Sequence, residues 1–387
     1  MKNLLAILFS FCVLFGFSSC NDDEPEITQV EQTLFLYFPW STDLTFSLDK
    51  NVTDMQSAFA EYGTEKQRII VFFAESQNTA KLFELVKTPN SNEKNLLKTY
   101  NFSNSEYTQI EGLTSIIADM KHFSPSAKYS MLIGCHGMGW INTNSYSRYN
   151  AGKKMKMHWD GKYLTRYFGG LTDDCITDIT TLRHAIENNG LKFDYILFDN
   201  CYMANVEVAY ELRNSTDFII ASTSEIMSMG LPYRNIGRYL WSNYNFKAVC
   251  DGVYNYYNNS RQPFVTLSVI DCNQMEELAS VMKQINAKHK ISDSALAKIQ
   301  ILDGYTPAIF YDYGDYVNKL CKDQDLLDAF ERQLNRTVLH TVCTPQLYSE
   351  SRGVFNVNTS SGITISDPSC NPWTNDKAKT SWYIKTH

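Results

Sequence analysis

The chain has 387 residues, 44% of them hydrophobic and 20% charged, an ordinary globular balance that excludes wholesale disorder, collagen-like repeats and a coiled coil. Lys and Arg number 35 against 42 Asp and Glu, a net charge of −7, so no overall basic field exists to hold nucleic acid phosphates. The length suits two or three structural units, or one large α/β domain with additions.

The first residues read as an export signal: Lys2, an apolar run from Leu4 to Phe17, then Ser18 and Ser19 before Cys20. The run is shorter than the roughly 20 apolar residues of a membrane-spanning helix. Its end resembles a bacterial lipoprotein signal in which Cys20 carries the lipid, with Phe17 in place of the usual leucine. The acidic stretch Asn21-Asp22-Asp23-Glu24 resembles the export tag of surface lipoproteins and reads equally as a polar tether. Residues 1–19 are thus expected to be a signal peptide and 20–32 a tether, and the location a lipid anchor in a bacterial envelope, at the outer membrane or cell surface.

Periodicity then predicts a strand at Thr33 to Pro39, a helix at Val52 to Tyr62 and a buried strand at Gln67 to Ala74. A helix at Leu113 to Phe123, a strand at Tyr129 to Cys135, a helix at Thr180 to Asn188 and a strand at Asp194 to Phe198 follow. Next come a helix at Met203 to Arg213, a strand at Phe218 to Ser222, a helix at Phe246 to Asn258, a strand at Phe264 to Asp271 and a helix at Met275 to His289. This alternation predicts an α/β fold, a mainly parallel sheet with helices on both faces. Beyond Asp293 it weakens to helices near Tyr316 to Cys321 and Leu326 to Leu334 and strand-like Thr337 to Cys343 and Gly353 to Ile365. We therefore expect one domain over 33–290 and a C-terminal α+β subdomain over 291–387.

In parallel sheets the chemistry gathers beyond the carboxyl ends of the strands. One such loop reads His136-Gly137-Met138-Gly139-Trp140 and another Asp199-Asn200-Cys201-Tyr202-Met203. An imidazole and a thiol at neighbouring strand ends are the parts of a cysteine hydrolase, and a helix starting near Met203 would favour a thiolate at Cys201. Spacing alone leaves Cys201 equally readable as a small packing residue and His136 as a loop histidine. The remaining cysteines are scattered, without a CxxC pair or zinc spacing, so no metal site is expected.

These loops, with the strand Tyr195 to Asp199 and the segment Met203 to Leu212 carrying Glu207 and Tyr210, resemble the clostripain-like cysteine peptidases, the C11 family of the caspase-fold clan. The likeness runs from Thr33 to about Asp271. It implies a caspase-like core and a Cys/His dyad in which Cys201 attacks the scissile carbonyl and His136 protonates the leaving amine. It further implies an oxyanion site at the backbone N–H groups of Gly137 and Cys201. Asp199 would line the pocket for a substrate Arg or Lys, with Trp140, Ser222 and Glu225 as further substrate contacts. Asp199 or Asn200 could also cap the following helix. The loop Thr223 to Tyr233 departs from the family in lacking its Pro-Gly and Gly-Trp and in having Glu225 as its one acid, which weakens the expected preference for basic residues. Relatives are often activated by cutting between the dyad residues, so self-cleavage is expected in the 152–162 loop after Lys153, Lys154 or Lys156, with a solvated lysine loop as the alternative. No cofactor is needed for this chemistry. The aspartates of Tyr311 to Tyr316 are expected to be structural, with calcium the remote alternative. The expected partner is a peptide or protein substrate of a monomeric enzyme. The rival reading is a catalytically inactive envelope lipoprotein that keeps the fold to bind peptides or a protein partner.

Overall fold

The computed structural model describes residues 30–87, 93–142, 169, 175–241 and 243–387. Its strands are β1 (Val30–Phe38), β2 (Gln67–Ala74), β3 (Thr79–Leu85), β4 (Lys94–Asn101), β5 (Ser126–Gly134), β6 (Phe193–Asp199), β7 (Thr216–Ala221), β8 (Thr266–Asp271), β9 (Tyr311–Asp312), β10 (Val338–Cys343), β11 (Gln346–Ser349), β12 (Gly353–Asn356) and β13 (Thr364–Ile365). Nine of them form one sheet in the order β10-β8-β7-β6-β5-β1-β2-β3-β4. The centre, β2-β1-β5-β6-β7, is parallel, and antiparallel strands close it on both sides.

The apolar runs of the central strands reach both faces because successive side chains alternate. Phe35, Tyr37, Ile70, Phe72, Met131, Ile133, Ile196 and Phe198 pack on one face with helices Ile110–Phe123, Ile179–Asn188 and Met275–Lys288. Leu34, Leu36, Phe38, Val71, Leu132, Tyr195 and Leu197 pack on the other with helices Thr45–Tyr62 and Phe246–Asn258. The expected layered α/β architecture is therefore the one observed.

Several features differ from the sequence reading. The hairpin β3–β4 was not expected: Lys94–Asn101 is polar and largely exposed, burying only Tyr100, so no apolar run marks it. The first helix begins at Thr45 rather than Val52. Within residues 291–387, expected to form a C-terminal subdomain, β10 adds the edge strand to the main sheet through β8. The single strand expected over Gly353 to Ile365 is two short ones, β12 and β13, in separate pairings.

Candidate active site

Register brings the two candidate loops together. In the β5–β6 ladder Gly134 lies opposite Asp199, so the chains leave the sheet side by side. Asn200 then ties them: its side-chain amide donates to the backbone oxygens of Cys135 at 2.8 Å and His136 at 3.1 Å. Glycine is required at position 137, where a Cβ would stand 2.4 Å from the Cys201 carbonyl oxygen and 2.8 Å from the Cys201 nitrogen. The peptide of Gly137 therefore rests against that of Cys201, and these are the two peptides expected to form the oxyanion site.

His136 is 1% exposed, and its Nε2 lies 2.8 Å from Oδ1 of Asp43, in the loop that follows β1. Cys201 is equally buried, and its sulfur accepts the N–H of Ile226 at 3.3 Å. The chain turns sharply after it. Tyr202 adopts the left-handed region (φ 60°), a conformation that costs a residue with a Cβ on the order of 1–3 kcal/mol. Neighbours hold it there: its N–H donates to Ser224, its carbonyl accepts from the Asn205 side chain, its ring stacks on Phe310 and its hydroxyl donates to Glu225. The helix that follows is Val206–Leu212, shorter than the expected Met203 to Arg213, and Asn205 caps it by accepting the Val208 N–H. Asp199 and Asn200 are thus not its caps, and Cys201 lies a full turn of chain before the first helical N–H groups rather than upon them.

Asp199 is fully buried, its Oδ2 accepting the Tyr233 hydroxyl at 2.7 Å and the Leu231 N–H at 3.3 Å. The loop after β7 thereby wraps over the end of β6, with Ile226, Met227 and Leu231 buried along it. Three further residues expected to contact substrate make defined contacts within the fold. Ser222 is fully buried, its hydroxyl engaged with Thr266 and the Ser224 carbonyl. Glu225 accepts the hydroxyls of Tyr202 and Ser349 and the Glu350 N–H, so its carboxylate pins the turn after Cys201 to β11. Trp140 donates to Ser366 and faces a pocket of about 360 Å³, lined with Glu207, Glu211 and Asp376 among others, to which none of His136, Cys201 and Asp199 contributes.

Sequence reading missed Asp43, Tyr202 and Tyr233. Asp43 was findable in principle, since β1 neighbours β5 in parallel and its exit loop opens at the same end of the sheet. Lys153, Lys154, Lys156 and Cys20 lie outside the described residues.

All eight cysteines from Cys135 to Cys370 are free thiols. Burial pushes the Cys250 thiol up to about 12, well away from a reactive state. The two acids of Tyr311 to Tyr316 are engaged within the fold. Asp312 accepts the backbone N–H groups of Asp315 and Ser361, and Asp315 accepts from Gln300 and pairs with Lys319. Among the described residues no group of three or more His, Cys, Asp or Glu is arranged to hold a metal. Nor is any described helix long and apolar enough to cross a membrane.

This arrangement matches known proteins closely. Residues 45–367 match the model of the clostripain family. The chain is 44% identical to a secreted C11 cysteine protease from Bacteroides thetaiotaomicron, called iotapain, over 93% of this chain and 100% of that one, with a TM-score of 0.86. It is 50% identical to a clostripain from the same organism, solved with the peptide inhibitor BTN-VLTK-AOMK, over 57% of this chain and 99% of that one, with a TM-score of 0.57. An inactive zymogen C11 protease from Parabacteroides distasonis shares the fold at 24% identity over 93% of this chain and 99% of that one, with a TM-score of 0.76. No curated protein matches the chain. With the family's model matching residues 45–367 and a relative 44% identical over 93% of this chain, and with the loops of His136 and Cys201 leaving adjacent strand ends, this chain belongs to the clostripain family of cysteine peptidases.

Proposed function

We propose that this cysteine peptidase cleaves peptide bonds after Arg or Lys, with Cys201 as nucleophile, His136 as general acid and base, and Asp199 as the acid that selects the side chain. The observation that carries the reading is the fusion of the two strand ends, with Asn200 bonded across to the His136 carbonyl and Gly137 packed on the Cys201 peptide. In the acylation step the Cys201 sulfur bonds to the scissile carbonyl carbon while the thiol proton passes to His136. The carbonyl oxygen gains charge against the N–H groups of Gly137 and Cys201, each worth about 2.7–4 kcal/mol in such sites. Collapse breaks the C–N bond, and His136 gives its proton to the departing amine. A water then enters, His136 takes its proton, and the thioester is hydrolysed.

Asp199 sits at the end of the strand that leads directly into Cys201, two residues before the thiol, the place at which the family resemblance implies an S1 acid. The lysine next to the reactive group of the inhibitor bound by the 50% identical relative supports the same preference. The buried Ile226, Met227 and Leu231 would flank the aliphatic stem of a Lys or Arg. The signal-like Met1 to Cys20 supports export and attachment to a bacterial envelope through lipid on Cys20.

Cleavage of a fluorogenic library varied at P1 tests this. The wild-type enzyme turns over Arg and Lys substrates, and Asp199→Ala loses that turnover; unchanged kinetics in the variant remove Asp199 from the pocket.

A further inference from the structure

The peptidase reading uses His136 as a proton carrier, and that role depends on which ring nitrogen holds the proton. β1 and β5 are adjacent and parallel, in register from Val30 opposite Ser126 to Tyr37 opposite Ile133. Their ends are tightly packed, since a Cβ on Gly134 would stand 2.5 Å from the Phe38 ring. The chain leaving β1 must therefore pass the residues leaving β5, and it carries Asp43 in the short helical turn Thr42–Leu44, immediately ahead of the long helix Thr45–Tyr62. The result is the 2.8 Å contact from Asp43 Oδ1 to His136 Nε2, between an imidazole that is 1% exposed and a carboxylate side chain that is 36% exposed.

We infer that Asp43 is the positioning residue of the dyad, a third member that accepts the proton of His136 Nε2 and fixes the imidazole's tautomer and tilt. The inference rests on the peptidase reading above. With Nε2–H committed to Asp43, proton exchange runs through Nδ1: Nδ1 takes the Cys201 thiol proton, the ring becomes an imidazolium, and Nδ1–H goes to the leaving amine. The carboxylate of Asp43 keeps its charge throughout and opposes the positive charge that the ring gains in the transition state. Water reaches Asp43 on its outer side, so holding a charge there carries little desolvation cost. The turn also anchors the site to the opposite sheet face, because Leu44 and Leu48 pack in the core beneath helix Thr45–Tyr62.

The test compares Asp43→Ala, Asp43→Asn and Asp43→Glu with the wild-type enzyme. The expected result is a kcat lowered by about tenfold or more in Asp43→Ala and Asp43→Asn, with KM unchanged and partial recovery in Asp43→Glu. Nitrogen-15 spectra of histidine-labelled protein in a Cys201→Ala background, assigned with His136→Gln, should show a protonated Nε2 on His136 that is lost or mixed in Asp43→Ala. Unchanged kcat in Asp43→Ala, or an unaltered His136 tautomer, overturns the inference. The spectra need no turnover, so they decide the Asp43 contact separately from any failure of the peptidase reading.

Discussion

At the scale of single residues, the proposed specificity rests on Asp199, and its surroundings decide how well it could serve. A fully buried carboxylate must be matched by donors, and Tyr233 supplies one from the loop after β7 at 2.7 Å. If Asp199 meets a substrate cation as proposed, Tyr233 fixes the direction in which the acid is presented. Tyr233→Phe keeps the ring and removes the donor. We expect kcat/KM on Arg and Lys substrates to fall about tenfold, the scale of a hydrogen bond to a charged group, with the loss in KM. An equal loss on substrates with neutral P1 residues would mean that Tyr233 supports the fold rather than the pocket. Glu225 illustrates the opposite case. It was expected among the substrate contacts, and in the fold its oxygens accept from Tyr202, Ser349 and Glu350, partners supplied in part by β11, far along the chain.

At the scale of elements, the site is a joint between two parallel strand ends, and Gly137 is its tightest point. An added methyl would meet the Cys201 backbone at 2.4 Å, and a backbone atom cannot swing aside as a side-chain tip can. Gly137→Ala should separate the two peptides that face the oxyanion and lower kcat by about 100-fold or more. Thermal unfolding would show a loss of about 1–3 kcal/mol, the cost of overpacking. Wild-type turnover in this variant would place the oxyanion donors elsewhere. The central strands were legible because parallel strands buried on both faces read as unbroken apolar runs, such as Tyr195 to Phe198. The polar hairpin strand Lys94–Asn101 was not, and neither was the start of helix Val206–Leu212, which Asn205 sets by capping rather than by any change in hydrophobic spacing. The placing of the His136 and Cys201 loops at neighbouring strand ends was legible from the alternation of strands and helices. Asp43 and Tyr233 escaped because their roles exist only once β1 is beside β5 and the loop after β7 has folded back over β6.

At the scale of the whole molecule, the C-terminal segment is built into the peptidase core. β13 pairs with β9 and bridges to Asn205, next to the turn after Cys201. Just beyond it, the Ser366 N–H donates to Glu207 at 2.8 Å, on the helix that follows Cys201. Burial, with Asp367 nearby, pushes the Glu207 carboxyl from an ordinary 4.5 up to about 8, and burial raises Asp367 to about 7. The folded state thus holds these protons more tightly than the unfolded chain. Their contribution to stability is complete at acid pH, below the ordinary value, and is lost as pH rises through about 8. Glu207→Gln keeps an acceptor for Ser366 without the titration. The fall in stability between about pH 5 and pH 8.5 should become shallower in this variant, by on the order of a few kcal/mol at most. A pH slope identical to that of the wild-type protein would show that Glu207 does not titrate in this window.

The central claim is that Cys201 and His136 form one working dyad beside a pocket for basic side chains. The direct measurement is covalent labelling with acyloxymethyl ketones bearing Lys, Arg or neutral residues at P1, read by intact mass and peptide mapping. The account predicts a single adduct on Cys201 with the Lys and Arg probes, and none in Cys201→Ala or His136→Ala. Labelling that persists in Cys201→Ala, or a wild-type protein that takes up none of the probes, would contradict it.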